Sequence, residues 1–557
     1  MKIWIDKSNR CRGKESIYFT TPGQEVTTLL DAIHPKYYDA RLRAFETSLS
    51  NFGTLLDTFI DYNIEIPENL PKKLESQLDR LAKFDVNTEP VYVTEPFAHQ
   101  VECVEYAKSH PKFLIGDDMG LGKTKQAIDI AVMRKEQCGH CLIVCGVNNL
   151  KFNWRDEVKI HSNEDCFILG ERLRKSGKEY IGGNKEKLED LNKLSELPYF
   201  IITNIEALRN KEIGAEIKKL CDKDVIGMTI IDEIHKAKSP TTQQGKAIHK
   251  CTSYYRLALT GTPLMNTPID LYNILKWLDV VNVTLDTFKS RYCIMGGFGD
   301  YQIVDYKNLD ILTKQLKGIM IRRMKTDVVD LPPKVNTYEL LEMDTKQAKL
   351  YDDVKQQIVD NIDKVMLSSN PLAELIRLRQ CTGATSILSS DINESVKIDR
   401  CYEIVEELAS QGRKCIVFSN WTSITDIAYS VLSDFNPSLV TGEIDEVESQ
   451  IKKFKEDATC MCIVGTIGVL GTGFTLTEAD TVIFLDEPYS YANKGQAEDR
   501  AYRIGTKSTV NIITLLCKGT IDERIAEIVR SKKELSDMIV DGKGERTNKN
   551  TIEYLLS

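Results

Sequence analysis

A glycine-rich turn and two adjacent carboxylates are the groups in this chain that could bind and split a nucleoside triphosphate. The turn is GDDMGLGKT, residues 116–124, and it follows a short apolar run at residues 113–115. Its backbone N–H groups and the N-terminus of the helix expected near Lys123 both favour an anion. Lys123 could reach the β- and γ-phosphates, while the Thr124 hydroxyl could ligate Mg²⁺. The same interpretation gives nucleotide contacts to Asp118, Met119, Gly120, Leu121 and Gly122.

The two carboxylates, Asp232 and Glu233, lie near the end of the apolar run TIIDEIH at residues 229–235. Asp232 suits the metal side of such a site together with Thr124, and Glu233 suits the base that activates water. The turn departs from the pattern GxxxxGK[ST], because Asp117 occupies the position of the first glycine. The two segments together predict ATP and Mg²⁺ as cofactors, although each alone is only suggestive.

Side chains elsewhere could contact the base of the nucleotide or couple its site to motion. Gln100 lies upstream of the turn, where its amide could pair with an adenine edge; an exposed helix glutamine is the plainer alternative. Threonines in LALTGTPLMN could link the γ-phosphate to motion, although a simple strand-to-turn connection also explains them. Threonines in the later turn GTIGVLGTGFTL could bond backbone phosphates of a nucleic acid. The hydroxyls predicted for coupling or DNA contact are those of Thr203, Thr260, Thr262, Thr466 and Thr472.

Two arginines in QAEDRAYRIG, residues 496–505, could act on the nucleotide from a second part of the chain. Arg500 and Arg503 are three positions apart, so on a helix they would share a face. Their planar guanidinium groups suit the charge that develops on a transferring phosphoryl group. An isolated RxxR is usually a surface ion-pair motif. Here the glycine turn has no arginine of its own, which favours a composite site with Gln496, Arg500 and Arg503 on its second side.

Size and composition limit the class of protein. A chain of 557 residues is too long for one core, and 42% hydrophobic with 28% charged residues is typical of a globular protein. No apolar stretch approaches the ~20 residues of a membrane span. Fifteen cysteines, many inside apolar runs, predict a reducing compartment, either cytoplasmic or nucleoid-associated in a cell without a nucleus.

The net charge of −9 argues against coating nucleic acid through global charge, but it permits a basic track along one cleft. Local basic patches such as Arg322, Arg323 and Lys325 are interpreted as solvated faces.

Two series of apolar runs predict two open parallel sheets, and hence an α/β fold. The first series is FLIG, CLIVCG, YFIITN, MTIIDE and RLALTG. The second series is KCIVFSN, SLVTG, MCIVGT, TVIFLDE and VNIITLLC. The stretch between them, about residues 265–410, is predicted to be mostly helical.

Six segments in order resemble a Swi/Snf-type ATPase of helicase superfamily two: DDMGLGKT, DEIH, LTGTPLMN, IRRMKTDVVDLPPK, GTGFTLTEADTVI and QAEDRAYRIG. The resemblance covers about residues 95–530. It implies two RecA-like parallel-sheet lobes with helical protrusions and a small N-terminal module. The expected domains are a DNA-binding module at 1–85, an ATP-binding lobe at 86–325, a helical linker or protrusion at 326–400, a second lobe at 401–530 and a helical tail at 531–557.

Two further segments are similar to the annealing-helicase, or HARP-like, branch of that family. They are RYC, residues 291–293, followed by a loop and IRRMK, and the segment at residues 34–59, in which Phe45 stands where a tryptophan is expected. Other departures are Phe474 and Thr475 in the second glycine turn and Tyr489, where a tryptophan is common. The resemblance implies a monomeric ATP-dependent DNA translocase or helicase that remodels branched DNA by fork regression, branch migration or annealing. Its expected partners are duplex, forked or junction DNA and replication or recombination proteins, with no membrane.

Other interpretations remain open. The same motor could displace proteins or a stalled polymerase from duplex DNA, or the chain could be an ATP-gated DNA-binding module without motor activity. A P-loop ATPase that does not act on nucleic acid is disfavoured by LTGTP and QAEDRAYRIG. The tetrapeptide CGHC at residues 138–141 could be a redox or zinc motif, but it leads directly into the run CLIVCG, which disfavours both roles.

Overall fold

The structure is a computed structural model, and it describes residues 1–541 apart from a set of short segments. Those outside the description are 9–14, 22–29, 31–32, 34–35, 53–54, 57–58, 60–63, 68–69, 71–73, 75–87, 148–149, 175–176, 178, 297–301, 329–330, 361–371, 445–446, 472–475, 504–505 and 507. The chain forms two compact units, one made mainly of Met1–Met324 and the other mainly of Lys325–Met538.

The β-strands of the described residues belong to three larger sheets and two hairpins. In chain order they are β1 (Ile3–Lys7), β2 (Glu15–Phe19), β3 (Lys36–Asp39), β4 (Ala44–Ser48), β5 (Lys112–Ile115), β6 (His140–Cys145), β7 (Cys166–Ile168), β8 (Glu171–Leu173), β9 (Glu179–Ile181), β10 (Phe200–Asn204), β11 (Ile226–Asp232), β12 (Tyr255–Leu259), β13 (Cys293–Gly296), β14 (Gln302–Tyr306), β15 (Met320–Ile321), β16 (Lys334–Leu341), β17 (Lys414–Ser419), β18 (Ser438–Val440), β19 (Cys462–Thr466), β20 (Ala479–Phe484) and β21 (Val510–Cys517).

The α-helices of the described residues mostly connect these strands. In chain order they are α1 (Ala98–Ser109), α2 (Lys123–Met133), α3 (Leu150–His161), α4 (Asn184–Asn192), α5 (Ile205–Arg209), α6 (Lys211–Asp222), α7 (Gln243–Ala247), α8 (Tyr272–Trp277), α9 (Leu285–Tyr292), α10 (Leu309–Lys317), α11 (Lys325–Val328), α12 (Thr345–Asp360), α13 (Leu372–Gly383), α14 (Val396–Ser410), α15 (Thr422–Val431), α16 (Val447–Glu456), α17 (Ile467–Leu470), α18 (Tyr491–Glu498) and α19 (Ile521–Ser536).

Two of the sheets are parallel, which confirms the predicted fold class. The first has seven strands in the order β15-β5-β12-β11-β6-β10-β7, and the second has six in the order β16-β21-β20-β17-β19-β18. Each of the ten apolar runs in the sequence forms one of these strands. Most of their residues are fully buried, as expected when helices cover both faces of a parallel sheet. In the described part of the chain, no helix is long and apolar enough to cross a membrane.

The N-terminal region forms a sheet of a different kind. Strands β1 to β4 pair antiparallel in the order β1-β2-β4-β3. Their buried side chains include Ile17 and Phe19, which pack with Phe52 and Phe59. This small sheet therefore has an apolar core of its own.

The stretch at residues 265–410 is less helical than predicted. It contains the hairpin β13–β14 and two edge strands. Strand β15 is an edge strand of the first parallel sheet, and β16 is an edge strand of the second. Strand β16 has the sequence KVNTYELL, and most of its residues are exposed or half-buried. An edge strand of this kind has no continuous apolar run, so sequence periodicity does not reveal it.

The register of the first sheet brings three strand ends together. Asp232 at the end of β11 pairs with Leu259 of β12, and Leu259 pairs with Ile115 of β5. Since the strands are parallel, the segments that follow them leave the sheet at the same edge. The glycine turn, the two carboxylates and the threonine turn after β12 are therefore neighbours.

Candidate nucleotide-binding site

The glycine turn joins β5 to α2 through a backbone that only glycine adopts readily. Gly120 and Gly122 have φ angles of +81° and +75°, in the left-handed region. A Cβ on Gly122 would also lie 2.4 Å from Nε2 of Gln100. Gly122 is the N-cap of α2 and has no side chain with which to cap the first N–H groups of that helix. These groups are therefore suited to an anionic ligand. The predicted contacts Asp118, Met119 and Leu121 lie in this turn, and Thr124 lies in the first turn of α2.

The Lys123 side chain folds back onto the same turn. Its Nζ donates hydrogen bonds to the carbonyl oxygens of Asp117 at 2.8 Å and Asp118 at 3.1 Å. Burial lowers the pKa of this amine, and the nearby carboxylates of Glu233, Asp117 and Asp232 act in the opposite direction. A bound phosphate would supply further negative charge beside a partly desolvated ammonium. The position of Lys123 thus fits the phosphate-binding role predicted for it.

The structure gives a reason for Asp117 at the position of the first glycine. The carboxylate is fully buried and accepts hydrogen bonds from Nε and Nη2 of Arg323 at 3.0 Å and 2.6 Å. Gln126 Nε2 also donates to it at 3.0 Å. This side chain therefore fixes the glycine turn to the segment that follows β15, instead of opening the turn towards a ligand.

The carboxylate pair lies at the end of β11. Asp232 accepts a hydrogen bond from the indole Nε1 of Trp154 at 2.9 Å and another from the backbone N–H of Glu233 at 2.9 Å. Burial, together with the neighbouring Glu233 charge, raises the pKa of Asp232. A divalent cation beside Asp232 would relieve that unfavourable charge, and a carboxylate with the Thr124 hydroxyl is an oxygen donor set of the type that Mg²⁺ prefers. The residues present therefore fit the predicted metal.

Glu233 adopts a strained backbone next to the metal candidate. Its φ and ψ are +50° and +46°, a left-handed conformation that costs roughly 1 kcal/mol or more for a residue with a side chain. Burial opposes its ionisation, but His235 and then Lys123 lower the pKa of Glu233. The Glu233 carboxylate lies 3.1 Å from Nδ1 of His235. It is thus held ionised, as a base that activates water must be.

A contact links the carboxylate pair to the threonine turn after β12. Nδ1 of His235 lies 2.9 Å from the Thr260 hydroxyl, which also accepts a hydrogen bond from the Thr262 backbone at 3.1 Å. A Cβ on Gly261 would lie 2.7 Å from Cγ of Met119, so this turn packs directly on the glycine turn. In the part of the chain that is described, the buried hydroxyls of Thr203 and Thr262 have no hydrogen-bond partner.

Gln100 is buried instead of exposed on its helix. Its Oε1 accepts a hydrogen bond from the backbone of Phe97 at 3.0 Å, and its Nε2 lies 3.4 Å from the carbonyl oxygen of Leu121. The side chain therefore lies against the glycine turn, as a group that contacts the nucleotide should. Pairing with an adenine edge stays a prediction.

Trp154 is a residue whose role the sequence reasoning missed. Its side chain is buried, and the indole N–H donates a hydrogen bond to Asp232. The only signal in the sequence is an aromatic residue with one polar atom on the helix after β6. That signal does not identify a partner 78 residues away.

In the second unit, the two arginines do not lie on one helical face. Helix α18 ends at Glu498, so Arg500 and Arg503 follow it in hydrogen-bonded turns. Nε of Arg500 donates to the carbonyl oxygen of Gln496 at 3.0 Å. This bond satisfies one of the acceptors in the last turn of helix α18. The Gln496 side chain belongs to α18 and is buried.

Thr466 ends β19 and precedes α17, while Thr472 falls outside the described residues. The departures Phe474 and Thr475 also fall outside the description, whereas the side chain of Tyr489 is exposed.

The two cysteines and the histidine of the CGHC segment are buried. Burial raises the pKa of the Cys138 thiol to about 12 and that of Cys141 well above its ordinary value. Nδ1 of His140 lies 3.0 Å from the carbonyl oxygen of Pro198. Within the described ranges there is no group of three or more His, Cys, Asp or Glu side chains that could hold a metal. Cys138 and Cys141 pack in the core of the first sheet.

Comparisons with known proteins identify the family. Residues 98–387 match the SNF2-related domain, and residues 396–505 match the helicase conserved C-terminal domain. An uncharacterised ATP-dependent helicase of Mycoplasma pneumoniae is 25% identical over 96% of this chain and 50% of its own length. YwqA of Bacillus subtilis, named a putative ATP-dependent helicase/translocase, is 26% identical over 79% of this chain and 48% of its own length.

A solved SWI2/SNF2 ATPase core of Sulfolobus solfataricus, in complex with double-stranded DNA, is 25% identical with a TM-score of 0.37. That match covers 82% of this chain and 95% of the solved chain. The chain spans half or less of the length of the curated relatives that it matches first. The helicase names of the relatives agree with the enzyme class expected from the motifs. The chain belongs to the SNF2-related family and carries the helicase C-terminal domain of that family.

Proposed function

We propose that the protein is an ATP-dependent DNA translocase or helicase that hydrolyses ATP with Mg²⁺. The observation that carries this proposal is the meeting of Lys123, Asp232 and Glu233 at one edge of a parallel sheet, in a chain of the SNF2-related family. The helicase and translocase names of the relatives support the same activity. DNA is the proposed substrate of the motor.

The chain's own residues would divide the chemistry among them. Lys123 would exchange its bonds to the loop carbonyls for the β- and γ-phosphates, and Thr124 and Asp232 would hold Mg²⁺. Bound Mg²⁺ supplies positive charge against the phosphate oxygens. The Glu233 carboxylate would orient a water and accept its proton.

The second unit would supply the remaining groups. Arg500 and Arg503 would stabilise charge on the transferring phosphoryl group, and Gln100 and Gln496 would contact the nucleotide from the two lobes.

Coupling to DNA is proposed through hydroxyl groups. The contact from Glu233 through His235 to Thr260 gives the catalytic carboxylate a physical link to the turn after β12. Thr203 and Thr262 are the DNA contacts proposed for this unit. Thr466 and Thr472 would contact DNA from the second lobe.

We also propose that the preferred DNA is branched. The N-terminal antiparallel sheet has its own core, so it can act as a separate binding module. Strand β3 exposes Tyr37 and Tyr38, aromatic rings that can stack on unpaired bases. An acidic chain gains little from non-specific phosphate attraction, so affinity should depend on a shaped surface.

The test compares the intact protein with one that lacks residues 1–85 on linear, forked and four-way-junction DNA of equal length and salt. The intact protein should move branch points with ATP, and the truncation should weaken the preference for branched DNA more than basal ATP hydrolysis. Equal activity of the intact protein on all three substrates would refute branch specificity. It would favour the alternative motor that displaces proteins or a stalled polymerase from duplex DNA.

A further inference from the structure

Three basic residues in the segment at 321–334, Arg322, Arg323 and Lys325, are buried or half-buried, although their pattern predicts a solvated face, and a fourth, Lys334, is more exposed. The side chains of Arg322, Arg323, Lys325 and Lys334 are 15%, 11%, 6% and 30% exposed. Burying a cation is costly unless it is paired and hydrogen-bonded. Each of these residues therefore needs partners that compensate the free-energy cost of removing its charge from water.

The two lysines pair with residues next to Arg500 and Arg503, in the turns that we call the arginine turns and at the end of helix α18 before them. Nζ of Lys325 donates to the Asp499 carboxylate at 2.6 Å and to the carbonyl oxygen of Tyr502 at 2.8 Å. Nζ of Lys334 donates to the Glu498 carboxylate at 2.9 Å. Both amines also lie over the Tyr502 ring, at 5.2 Å and 5.4 Å from its centroid.

The residues that the lysines contact lie directly before each arginine in the chain. Glu498 and Asp499 directly precede Arg500, and Tyr502 directly precedes Arg503. Helix α18 ends at Glu498, and the residues that follow lie in turns, in which the backbone N–H of Tyr502 donates to the carbonyl oxygen of Glu498 at 3.0 Å. Charge-assisted hydrogen bonds are about twice as strong as neutral ones, so the lysines are suited to hold these turns in place.

We propose that Lys325 and Lys334 are positioning residues that set the place of Arg500 and Arg503 for phosphoryl transfer. The inference rests on the proposed ATP hydrolysis and goes beyond it, because neither lysine reaches the nucleotide in that mechanism. A displacement of only 1 Å in a reacting group can cost on the order of 100-fold in rate. Two lysines that hold the neighbours of both arginines would therefore act on turnover more than on ATP binding.

Arg322 and Arg323, which precede Lys325, form similar contacts with loops of the first unit. Arg323 binds Asp117, and Nη1 of Arg322 donates to the carbonyl oxygens of Gly116 at 2.6 Å and Gly261 at 3.2 Å. The chain passes from the first unit to the second between Met324 and Lys325. The same short segment thus carries the anchors of the glycine turn and, immediately afterwards, the anchors of the arginine turns.

The experiment uses the full chain with three variants and a matched control. Lys334→Gln and Lys325→Met remove one anchor each, and the double variant Lys334→Glu with Glu498→Lys restores an ion pair of reversed polarity. Lys518→Gln is the control, since Lys518 forms an exposed ion pair with Glu342 at 2.9 Å. The measurements are kcat and KM for DNA-stimulated ATP hydrolysis, binding of a non-hydrolysable ATP analogue, and thermal unfolding.

Both single variants should lose about 10-fold or more in kcat, while the affinity for the analogue changes by less than about 3-fold. The charge-reversed pair should recover most of the kcat lost by Lys334→Gln, and Lys518→Gln should behave like the wild type. If Lys325→Met does not fold, the Lys334 variants decide the outcome. Normal kcat in Lys334→Gln, or an equal loss of analogue binding, would overturn the positioning role alone. A wild-type protein without ATP hydrolysis would overturn the proposed function itself.

Discussion

Two half-buried carboxylates of the first unit, Asp232 and Asp279, lie at opposite edges of the same parallel sheet. Asp232 ends β11, whereas Asp279 contacts Lys112 at the start of β5 at 3.1 Å and Arg256 near the start of β12 at 3.0 Å. Burial opposes ionisation of both groups. The two cations lower the pKa of Asp279 to about 2, while burial and Glu233 raise the pKa of Asp232.

The two carboxylates differ in whether cations of the described part of the protein lie within ion-pair distance of them. Asp279 has its cations within the protein, so it contributes to stability. Asp232 has a neutral indole and a backbone N–H as hydrogen-bond partners, and the adjacent carboxylate repels its charge. Its charge would be compensated by a bound cation. Variants at the two edges should therefore have opposite effects on activity and stability.

The largest effect is expected from Glu233→Gln at the carboxyl edge. Without a carboxylate to accept a proton from water, ATP hydrolysis should slow by several orders of magnitude, while ATP binding persists. Thermal unfolding should shift only slightly downwards, because the loss of the favourable contacts with His235 and Lys123 is partly offset by the loss of repulsion from Asp232. The comparison variant, Lys123→Ala, should lose phosphate contact and therefore ATP binding. Normal turnover by Glu233→Gln would remove the basis of the proposed function.

The second largest effect is expected from the arginines of the second unit. Arg500→Ala and Arg503→Ala should each reduce turnover by ~10³-fold, with a smaller effect on ATP binding. Arg413→Ala is the matched control, because Arg413 binds Asp480 through two nitrogens at 2.8 Å and 3.0 Å. It should change thermal unfolding and leave turnover unchanged. Turnover within a few-fold of wild type in both Arg500→Ala and Arg503→Ala would contradict the composite site.

A smaller effect is expected from Trp154→Phe, which removes the hydrogen bond to Asp232 and keeps an aromatic ring. Loss of a group that orients a metal ligand typically costs about 10- to 100-fold in metal affinity or activity. The half-saturating Mg²⁺ concentration for hydrolysis should rise. Trp277→Phe is the control, since that buried indole donates to the carbonyl oxygen of Cys251 at 2.9 Å. An equal Mg²⁺ requirement in the two variants would show that the Trp154 bond is only structural.

The sequence predicts the groups that act through their own type and local spacing. Lys123, Asp232 and Glu233 belong to short motifs directly after apolar runs, and parallel strands bring such segments to one edge. Trp154 acts through a contact between distant segments, and no local pattern specifies it. The arginine turns differ again, because three-residue spacing implies a helix that in fact ends at Glu498.

The burial of the basic segment was equally beyond the sequence pattern. Arg323 and Lys325 have the spacing of a solvated patch, yet both are paired with buried or half-buried carboxylates. A charge run is interpreted as solvated unless its partners are known, and these partners lie 206 and 174 residues away. Tertiary pairing therefore decided what periodicity alone could not.

The smallest effect is expected from Asp279→Asn at the amino edge, and it reverses the pattern of Glu233→Gln. ATP hydrolysis should be unchanged, while the free energy of unfolding falls by about 1–2 kcal/mol, after allowance for a side chain that is one-third exposed. The folded pKa of about 2 lies below the ordinary value of 3.8, so the carboxylate stabilises the fold above about pH 4. That contribution is lost as the pH falls through about 2. Urea unfolding of wild type and variant should differ equally at pH 7 and pH 5, and differ less at pH 3. A difference that stays constant down to pH 3, or a variant with slowed hydrolysis, would show that the two edges are not separate in function.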